Sequence, residues 1–467
     1  MAEKTLQKPA GLKVHWLVFL LLAGACFAVF MHTDVMETAN HSYLLLECLF
    51  GGKFRSFYGE VAAHTNSFYY INNAHYNIVV YLLFAAFELP VYLVNTLFHL
   101  PPNEVVLSYV GKAVSALFFA GCLALVYAIA RQMGLGKSAR WAPLFTALCP
   151  PAFFSVFVMG QYDTICLFFT LLALWFWMRG RWWAFALVFG LAIPFKVFAA
   201  LLFVPLLLLA EKRPLHILKY GMAALWLVVP TGLLFAGHTF SMVPFNSEMM
   251  RRLFASVLPA GREVPVFALC YGLLCIFCYL WRPPREALPA RGVFLALAVY
   301  GLLFLFVEWH PQWLVLLAPF LVLTTLAEHH RGPFVFIDLL LCAGFFLVCA
   351  AAYPGQVEAN LFNHGLLGLA SGARWELGAQ VPLITRYTQV EVIRYLPTLL
   401  FTLGLAAHLI FKLPLRSGTP ASRLLRGTAS GTPFLEAHPA AGLWLVFGVG
   451  FGVFWLLPTC LGWAGIL

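Results

Sequence analysis

Four short strings hold most of the residues that could do chemistry, and each follows or interrupts a long apolar run. The first string, HTDVMETANH, places Asp34 and Glu37 just after the first apolar run. A carboxylate beside an apolar cavity can act as a general base, because partial desolvation raises its pKa toward the working pH. A solvated carboxylate at a helix end is the alternative interpretation.

The loop that begins with this string is rich in side chains that hydrogen-bond hydroxyl groups or stack on sugar faces. A plain extracellular loop can have a similar composition. These polar residues are His41, Glu60, His64, Tyr69, Tyr70, Asn72, Asn73, His75, Tyr76 and Asn77.

The second and third strings place polar groups among apolar residues. In VMGQYDTIC, Gln161 and Asp163 lie between two apolar runs, where an ionised Asp facing lipid would cost several kcal/mol. We therefore expect Asp163 to face the interior or an interface, or to cap the following helix. In IPFKVFAA, Pro194 breaks the run beside Lys196, which either binds an anion such as a phosphate or extends its side chain to an interface.

The fourth string, FVEWHPQW, places Glu308, His310 and Gln312 in a tight turn between two apolar runs. Three hydrogen-bonding side chains in so short a turn could line a site, and a merely polar turn is the alternative. Arg251 and Arg252 are further candidates for phosphate contacts, or for contacts with lipid headgroups.

Composition assigns the chain to the membrane class. Of the 467 residues, 62% are hydrophobic and 10% are charged, whereas soluble domains carry about 25% charged residues. The net charge of +10 does not indicate nucleic-acid binding, because the basic residues form short clusters between apolar runs, where membrane topology explains them.

We predict an all-α, polytopic bundle of about 13 transmembrane helices, with the N-terminus inside, the C-terminus outside and juxtamembrane helices in the first outer loop. Residues 78–100 are expected to lie along the outer interface, and residues 182–210 to cross twice. The other spans are expected at 14–31, 105–130, 141–159, 164–178, 217–236, 266–280, 293–307, 313–326, 334–351, 392–411 and 441–457.

Two modules are expected. Residues 1–330 form a catalytic transmembrane module that includes the outer loop 32–103. Residues 331–467 add further transmembrane helices, an outer loop at 353–391 and an inner linker at 416–438. Most of the polar loop residues, and therefore the chemistry, are expected on the outer side.

Taken in order, the four strings resemble the GT-C superfamily of polytopic glycosyltransferases. The matching pattern is an acidic first outer loop at Asp34, the string GQYD, a Gly/Pro-broken segment with Lys196 and a closing Pro205, and an HPQ turn before a span with Pro319. The resemblance covers residues 34–319. The C-terminal remainder of the chain carries no recognised motif of the family.

The resemblance implies that Asp34 deprotonates the acceptor hydroxyl and that basic residues hold the phosphate of a polyprenyl-phosphate sugar donor. The expected donor-binding residues are Lys196, Arg251 and Arg252, and the expected cavity-lining residues are Glu37, Glu60, Gln161, Asp163, Glu308, His310 and Gln312. A DxD-type outer motif is lacking, so no cofactor is expected to be required, and a divalent metal is not indicated.

The expected function is inverting transfer of a monosaccharide to a hydroxyl of a glycan, glycolipid or protein. The reaction is expected at the outer face of a membrane, which we take to be the bacterial cytoplasmic membrane. Membrane lipids are expected as partners, and nucleic acid is not. Two alternatives stay open: a transporter or flippase of lipid-linked sugars, and a polymerase or ligase of lipid-linked glycans. An internal repeat of the kind found in many transporters is not seen.

Overall fold

The protein is described by a computed structural model, in which residues 10–64, 74–236, 251–260, 262–328, 331–352, 361, 364–371, 391–413 and 439–451 are placed. Most of these residues lie in helices, as the apolar runs predicted. The predicted linker 416–438, most of the predicted loop 353–391, and Tyr69, Tyr70, Asn72 and Asn73 lie outside the described residues.

The described residues up to 132 form five α-helices, and two of these lie between the first apolar helix and residue 64. They are α1 (Ala10–Val29), α2 (Thr33–Phe50), α3 (Phe57–Ala63), α4 (Ile78–Phe98) and α5 (Glu104–Gln132). Helix α2 packs against α4 and α5, so the residues at its start lie beside the bundle. The first loop therefore contains helices, as predicted.

The next part consists of shorter helices with frequent breaks. They are α6 (Ala142–Leu148), α7 (Pro150–Phe153), a π-helical turn (Phe154–Val158), α8 (Asp163–Met178), α9 (Trp182–Ala192), α10 (Phe198–Ala210), α11 (Pro214–Ala224) and α12 (Val228–Leu234). Helix α8 packs against both α5 and α9, and the Trp177 indole N–H donates to the Leu206 carbonyl at 2.9 Å, which ties α8 to α10.

The last part begins with a short antiparallel ribbon of β1 (Val257–Ala260) and β2 (Arg262–Pro265), which the all-α prediction did not include. The helices that follow are α13 (Val266–Leu280), α14 (Leu288–Phe306), α15 (Ala318–Ala327), α16 (Gly332–Ala352), α17 (Leu366–Ser371), α18 (Glu391–Phe411) and α19 (Pro439–Phe451). A 3-10 helix, Pro311–Leu316, precedes α15, and α16 packs closely against α18.

Several predicted spans are not single straight helices. The run 141–159 is divided among α6, α7 and the π-helical turn, because Cys149 is non-helical (ψ 120°) and two prolines follow it. The run 217–236 forms α11 and α12, which are bent by 49° at their junction. The run 182–210 divides into α9 and α10 around Pro194, as predicted.

The chain is an integral membrane protein. Five of its described helices are long and apolar enough to cross a bilayer, or six if α11 and α12 count as one bent span. Large apolar side chains such as Leu97, Leu215 and Leu280 are more than 70% exposed on helix surfaces. A surface of this kind is stable when lipid covers it, because the helical backbone satisfies its own hydrogen bonds.

Candidate active site

Asp34 lies in the first turn of α2, five residues beyond Val29, the last residue of α1. His32 is the N-cap residue, and its Nδ1 accepts the Asp34 backbone N–H at 3.1 Å. This N-cap hydrogen bond fixes the backbone of Asp34, the residue that carries the carboxylate. The Asp34 side chain is 35% exposed, so the carboxylate is held by the protein and still reaches solvent or a ligand.

Gln161 fixes the Asp34 carboxylate from a distant part of the chain. Its side chain is buried, and its Nε2 donates to Asp34 Oδ2 at 3.2 Å and to His32 Nδ1 at 3.1 Å. His32 Nδ1 therefore lies within hydrogen-bond distance of two N–H groups, the Asp34 backbone amide and the Gln161 side-chain amide. The closest distance between His32 Nδ1 and the Asp34 carboxylate is 3.8 Å.

The turn that carries Gln161 has an unusual backbone. It follows the π-helical turn, a feature frequent at functional sites, and the Gln161 N–H returns to the Ser155 carbonyl at 2.9 Å. Gly160 has φ +71°, in the left-handed region that glycine adopts without steric cost. This sharp turn aims Gln161 at α2 and starts α8 at Asp163.

Asp163 and Lys196 form a buried ion pair. Lys196 lies in the break between α9 and α10, and its Nζ is 3.3 Å from Asp163 Oδ1, with side-chain exposures of 8% and 0%. The Lys196 ammonium also lies 5.5–5.7 Å from the ring centroids of Tyr76, Tyr162 and Trp313. A protein carboxylate is thus the partner of this buried lysine, and aromatic faces add to its stabilisation.

The turn after α14 completes the cluster. Arg252 NH1 lies 3.1 Å from His310 Nε2 and 3.8 Å from the exposed Glu308 carboxylate, and the His310 ring lies 4.8 Å from that of Trp313. Burial, and then the charges of Arg252 and Lys196, lower the pKa of His310, while the Asp34 carboxylate acts in the opposite direction. His310 is therefore within electrostatic reach of both Lys196 and Asp34.

The other predicted site residues have different contacts. Glu60 pairs with Lys53 at 3.2 Å on the surface of the first loop, and Glu37 acts electrostatically on Tyr81. Arg251 is exposed next to Arg252. Gln312 is nearly buried: its backbone carbonyl accepts from the Ser155 hydroxyl at 3.1 Å, and its side-chain oxygen has no hydrogen-bond partner among the described residues.

Sequence reasoning missed two residues next to this cluster. Lys112, in α5, is fully buried against the end of α1 and the turn before Gln161, and its signal was a lone Lys in a long apolar run. His364 lies beyond the predicted catalytic module, where no motif was recognised. Burial and the neighbouring His32 lower the pKa of His364, so the C-terminal part of the chain contributes to the surroundings of Asp34.

A separate polar cluster lies at an apolar cavity between α6, α15, α16 and α19. Asp338 lines this cavity and lies 2.8 Å from His408 Nε2. Nearby, the Lys412 ammonium is buried and donates to Thr324 and Thr325 hydroxyls and to the Leu321 carbonyl. None of the predicted site residues lines this cavity.

Within the described ranges, no group of three or more His, Cys, Asp or Glu side chains is arranged to hold a metal ion. The site around Asp34 instead combines a partly exposed carboxylate, a buried ion pair, a neutral histidine and an arginine. Such a set can take a proton from a hydroxyl and balance the charge of an anionic leaving group.

Searches against protein-family models, curated proteins and solved structures find no match to this chain. The membrane class rests on its helices, and any assignment of function rests on the geometry of the Asp34 cluster.

Proposed function

We propose that this protein is a membrane-embedded glycosyltransferase of the GT-C type that uses a polyprenyl-phosphate sugar donor. One observation carries the proposal: Asp34, a partly exposed carboxylate, is fixed by Gln161 within electrostatic reach of His310, which contacts Arg252. An inverting sugar transfer from a phosphate requires a base for the acceptor hydroxyl and a cation for the leaving phosphate, and this cluster contains both.

The reaction is a single displacement at the anomeric carbon. An acceptor hydroxyl gives its proton to the Asp34 carboxylate as its oxygen attacks. The bond between the anomeric carbon and the donor phosphate oxygen breaks, and the electron pair leaves on polyprenyl phosphate. Asp34 then returns the proton to water. The product is a glycoside of inverted configuration.

The cations have different roles in this proposal. Lys196 already pairs with Asp163, so much of its charge is balanced by the protein. The Arg252 side chain is partly exposed, 3.1 Å from His310 Nε2 and 3.8 Å from the Glu308 carboxylate. We assign the first phosphate contact to Arg252, with Lys196 as a second, deeper positive charge.

The proposal extends to the membrane arrangement. A bundle of about 13 crossings, with α9 and α10 as two short crossings and α4 along the interface, puts the basic inner loops on one side and Asp34 on the outer side. The donor's lipid tail would then lie in the bilayer, and the acceptor would be a glycan, glycolipid or protein hydroxyl. The membrane would be the bacterial cytoplasmic membrane.

The test uses the full chain purified into lipid nanodiscs. A set of radiolabelled polyprenyl-phosphate monosaccharides is supplied with hydroxyl acceptors, and the release of polyprenyl phosphate is measured. Asp34→Asn keeps the shape of the side chain but removes the base, so transfer should fall by about 10²–10⁴-fold. Glu47→Gln removes an exposed carboxylate from the same helix and should leave the rate unchanged.

Full activity of Asp34→Asn would remove Asp34 from this role. Movement of the labelled lipid between leaflets without bond cleavage would favour a transporter, since a buried Asp163–Lys196 pair is also typical of transport proteins. Consumption only of preassembled lipid-linked chains would favour a polymerase or ligase.

A further inference from the structure

Lys112 is a fully buried lysine in the middle of α5, and its ammonium is surrounded by backbone carbonyls. Its Nζ donates to the carbonyls of Phe27 at 2.9 Å and Cys26 at 3.4 Å, and also to that of Phe30. A fourth carbonyl, that of Val158, lies at 3.4 Å. Carbonyl oxygens are thus its hydrogen-bond partners.

Two of these carbonyls, those of Cys26 and Phe27, lie in the last turn of α1, and that of Phe30 follows directly after the helix. The last four carbonyls of a helix have no partner within it, and they lie at the negative end of the helix dipole, where a cation is favourable. Tyr109, one turn before Lys112 in α5, donates its hydroxyl to the Ala28 carbonyl at 2.6 Å. Helix α5 therefore anchors the end of α1, five residues before Asp34.

Lys112 also contacts the segment that carries Gln161. The Val158 carbonyl ends the π-helical turn, and Gly160 packs against the aliphatic stem of the lysine. A Cβ added to Gly160 would lie 2.7 Å from Lys112 Cγ, which leaves no room for a side chain there. One side chain thus touches both segments whose ends meet in the Gln161–Asp34 hydrogen bond.

We propose that Lys112 is a positioning residue that sets the distance between Asp34 and Gln161 by fixing the end of α1 against the turn at residues 158–160. It touches neither substrate nor reacting atoms. Its catalytic effect rests on the proposed glycosyl transfer, whereas its structural effect does not, and the two can be measured separately.

The matched control is Lys412, a second buried lysine that donates to a helix carbonyl. Lys412 donates to threonine hydroxyls as well, and it lies near the cavity lined by Asp338. Lys112→Met and Lys412→Met make the same change of side chain. Each leaves buried oxygens without a donor, so both should lower thermal stability. The proposal requires that their effects at the Asp34 cluster differ.

The first experiment is hydrogen–deuterium exchange on the full chain in nanodiscs, without substrate. Lys112→Met should speed exchange in peptides covering residues 28–36 and 158–162 by about tenfold or more, as expected for a lost hydrogen-bond anchor. The amides of Met31 and Gln161, bonded to the Leu361 and Ser155 carbonyls, are the reporters. Lys412→Met should leave these peptides protected. Unchanged protection in Lys112→Met would overturn the proposal.

The second experiment is the transfer assay described for Asp34. Lys112→Met should lower kcat by about 100-fold with a nearly constant KM, because a misplacement of about 1 Å costs a factor of this size. Lys112→Arg, which keeps a cation and its donors, should recover most of the rate. An equal loss of kcat in Lys412→Met would show a general stability effect and overturn the proposal.

Two outcomes need separate treatment. If the wild-type chain transfers no sugar, the proposed function fails, and the exchange experiment still decides the role of Lys112. If Lys112→Met does not accumulate, the same exchange comparison is made between Lys112→Gln and Lys412→Gln. The shorter, neutral side chain at position 112 should speed exchange in residues 28–36, whereas equal protection in the two variants would overturn the proposal.

Discussion

The Gln161 side-chain amide lies 3.2 Å from the Asp34 carboxylate, although 127 positions of sequence separate the two residues. The same amide bonds His32 Nδ1, so it holds both the N-cap and the first acidic residue of α2. A general base must be oriented as well as ionised, and this contact orients it.

Replacing Gln161 by Met should therefore lower kcat more than it changes KM. A hydrogen bond to a charged group contributes about 1.5–3 kcal/mol, which corresponds to a loss of about 10–100-fold in rate. Steady-state kinetics with a polyprenyl-phosphate sugar would measure it. Gln132→Met, at the far end of α5, is the control. A KM increase at constant kcat would show instead that Gln161 binds substrate.

The buried Asp163–Lys196 pair leads to a second prediction. Lys196→Met leaves Asp163 buried without its cation, which should cost about 3–5 kcal/mol of unfolding free energy. The double variant Asp163→Asn with Lys196→Met should regain most of this stability but little activity, because the deep positive charge is still missing. Thermal unfolding in nanodiscs and the transfer assay give the two readouts.

Its control is the exposed pair of Lys53 and Glu60, where Lys53→Met should cost at most about 1 kcal/mol. A double variant as unstable as Lys196→Met alone would mean that the lysine stabilises the fold through its contacts with Tyr76, Tyr162 and Trp313.

The helical class and most helix positions could be read from the sequence, because lipid solvent demands long apolar runs. The run 266–280 is α13, and 105–130 lies within α5. The breaks were harder to predict. Hydropathy does not register the non-helical Cys149 or the bend between α11 and α12, because these depend on backbone angles and packing.

The candidate site was also predictable only in part: its residues could be identified from the sequence, but their contacts could not. Asp34, Gln161, Asp163, Lys196, Arg252 and His310 stand out as polar residues in apolar surroundings, and the structure brings them together. Their pairing could not be predicted. Lys196 was expected either to bind an anion such as a phosphate or to extend to an interface, and in the structure its ammonium lies 3.3 Å from the Asp163 carboxylate. Lys112 was overlooked because its partners are backbone carbonyls, which leave no signature in sequence.

Protonation of His310 should make the rate of transfer fall at low pH, which is the acid limb of the pH–rate profile. Its pKa is lowered by burial and by the Arg252 and Lys196 charges, so the ring is neutral at pH 7 and can accept from Arg252. The neutral form of the ring is present above the ordinary pKa of a histidine and is lost as the pH falls through the lowered value, where His310 becomes a further positive charge near Lys196. Activity measured against pH should decline there.

Arg252→Met removes one cause of the lowered pKa, so the acid limb should move to higher pH. Arg252→Lys, which keeps the charge, should move it less. Arg251→Met, next in sequence but exposed, should leave the position of the limb where it is. A limb that stays in place in Arg252→Met would assign it to another group.

A pair of glycines tests the packing around Lys112 without changing a charge. Gly160 and Gly134 both have left-handed backbones, with φ of +71° and +76°, so Ala costs about 1–2 kcal/mol of strain at either. A Cβ at Gly134 would meet nothing within 4 Å, whereas one at Gly160 would press on the Lys112 stem. The strain is shared, and the contact is present only at Gly160.

Gly160→Ala should therefore lower both thermal stability and kcat, because the turn that carries Gln161 must move away from Lys112. Gly134→Ala should lower stability alone, by an amount that measures the backbone strain. The difference between the two variants isolates the contact with Lys112. Equal stability and equal kcat in the two variants would mean that the lysine stem moves aside freely, so the Asp34–Gln161 distance would have to be set by the hydrogen bonds at the lysine's ammonium end.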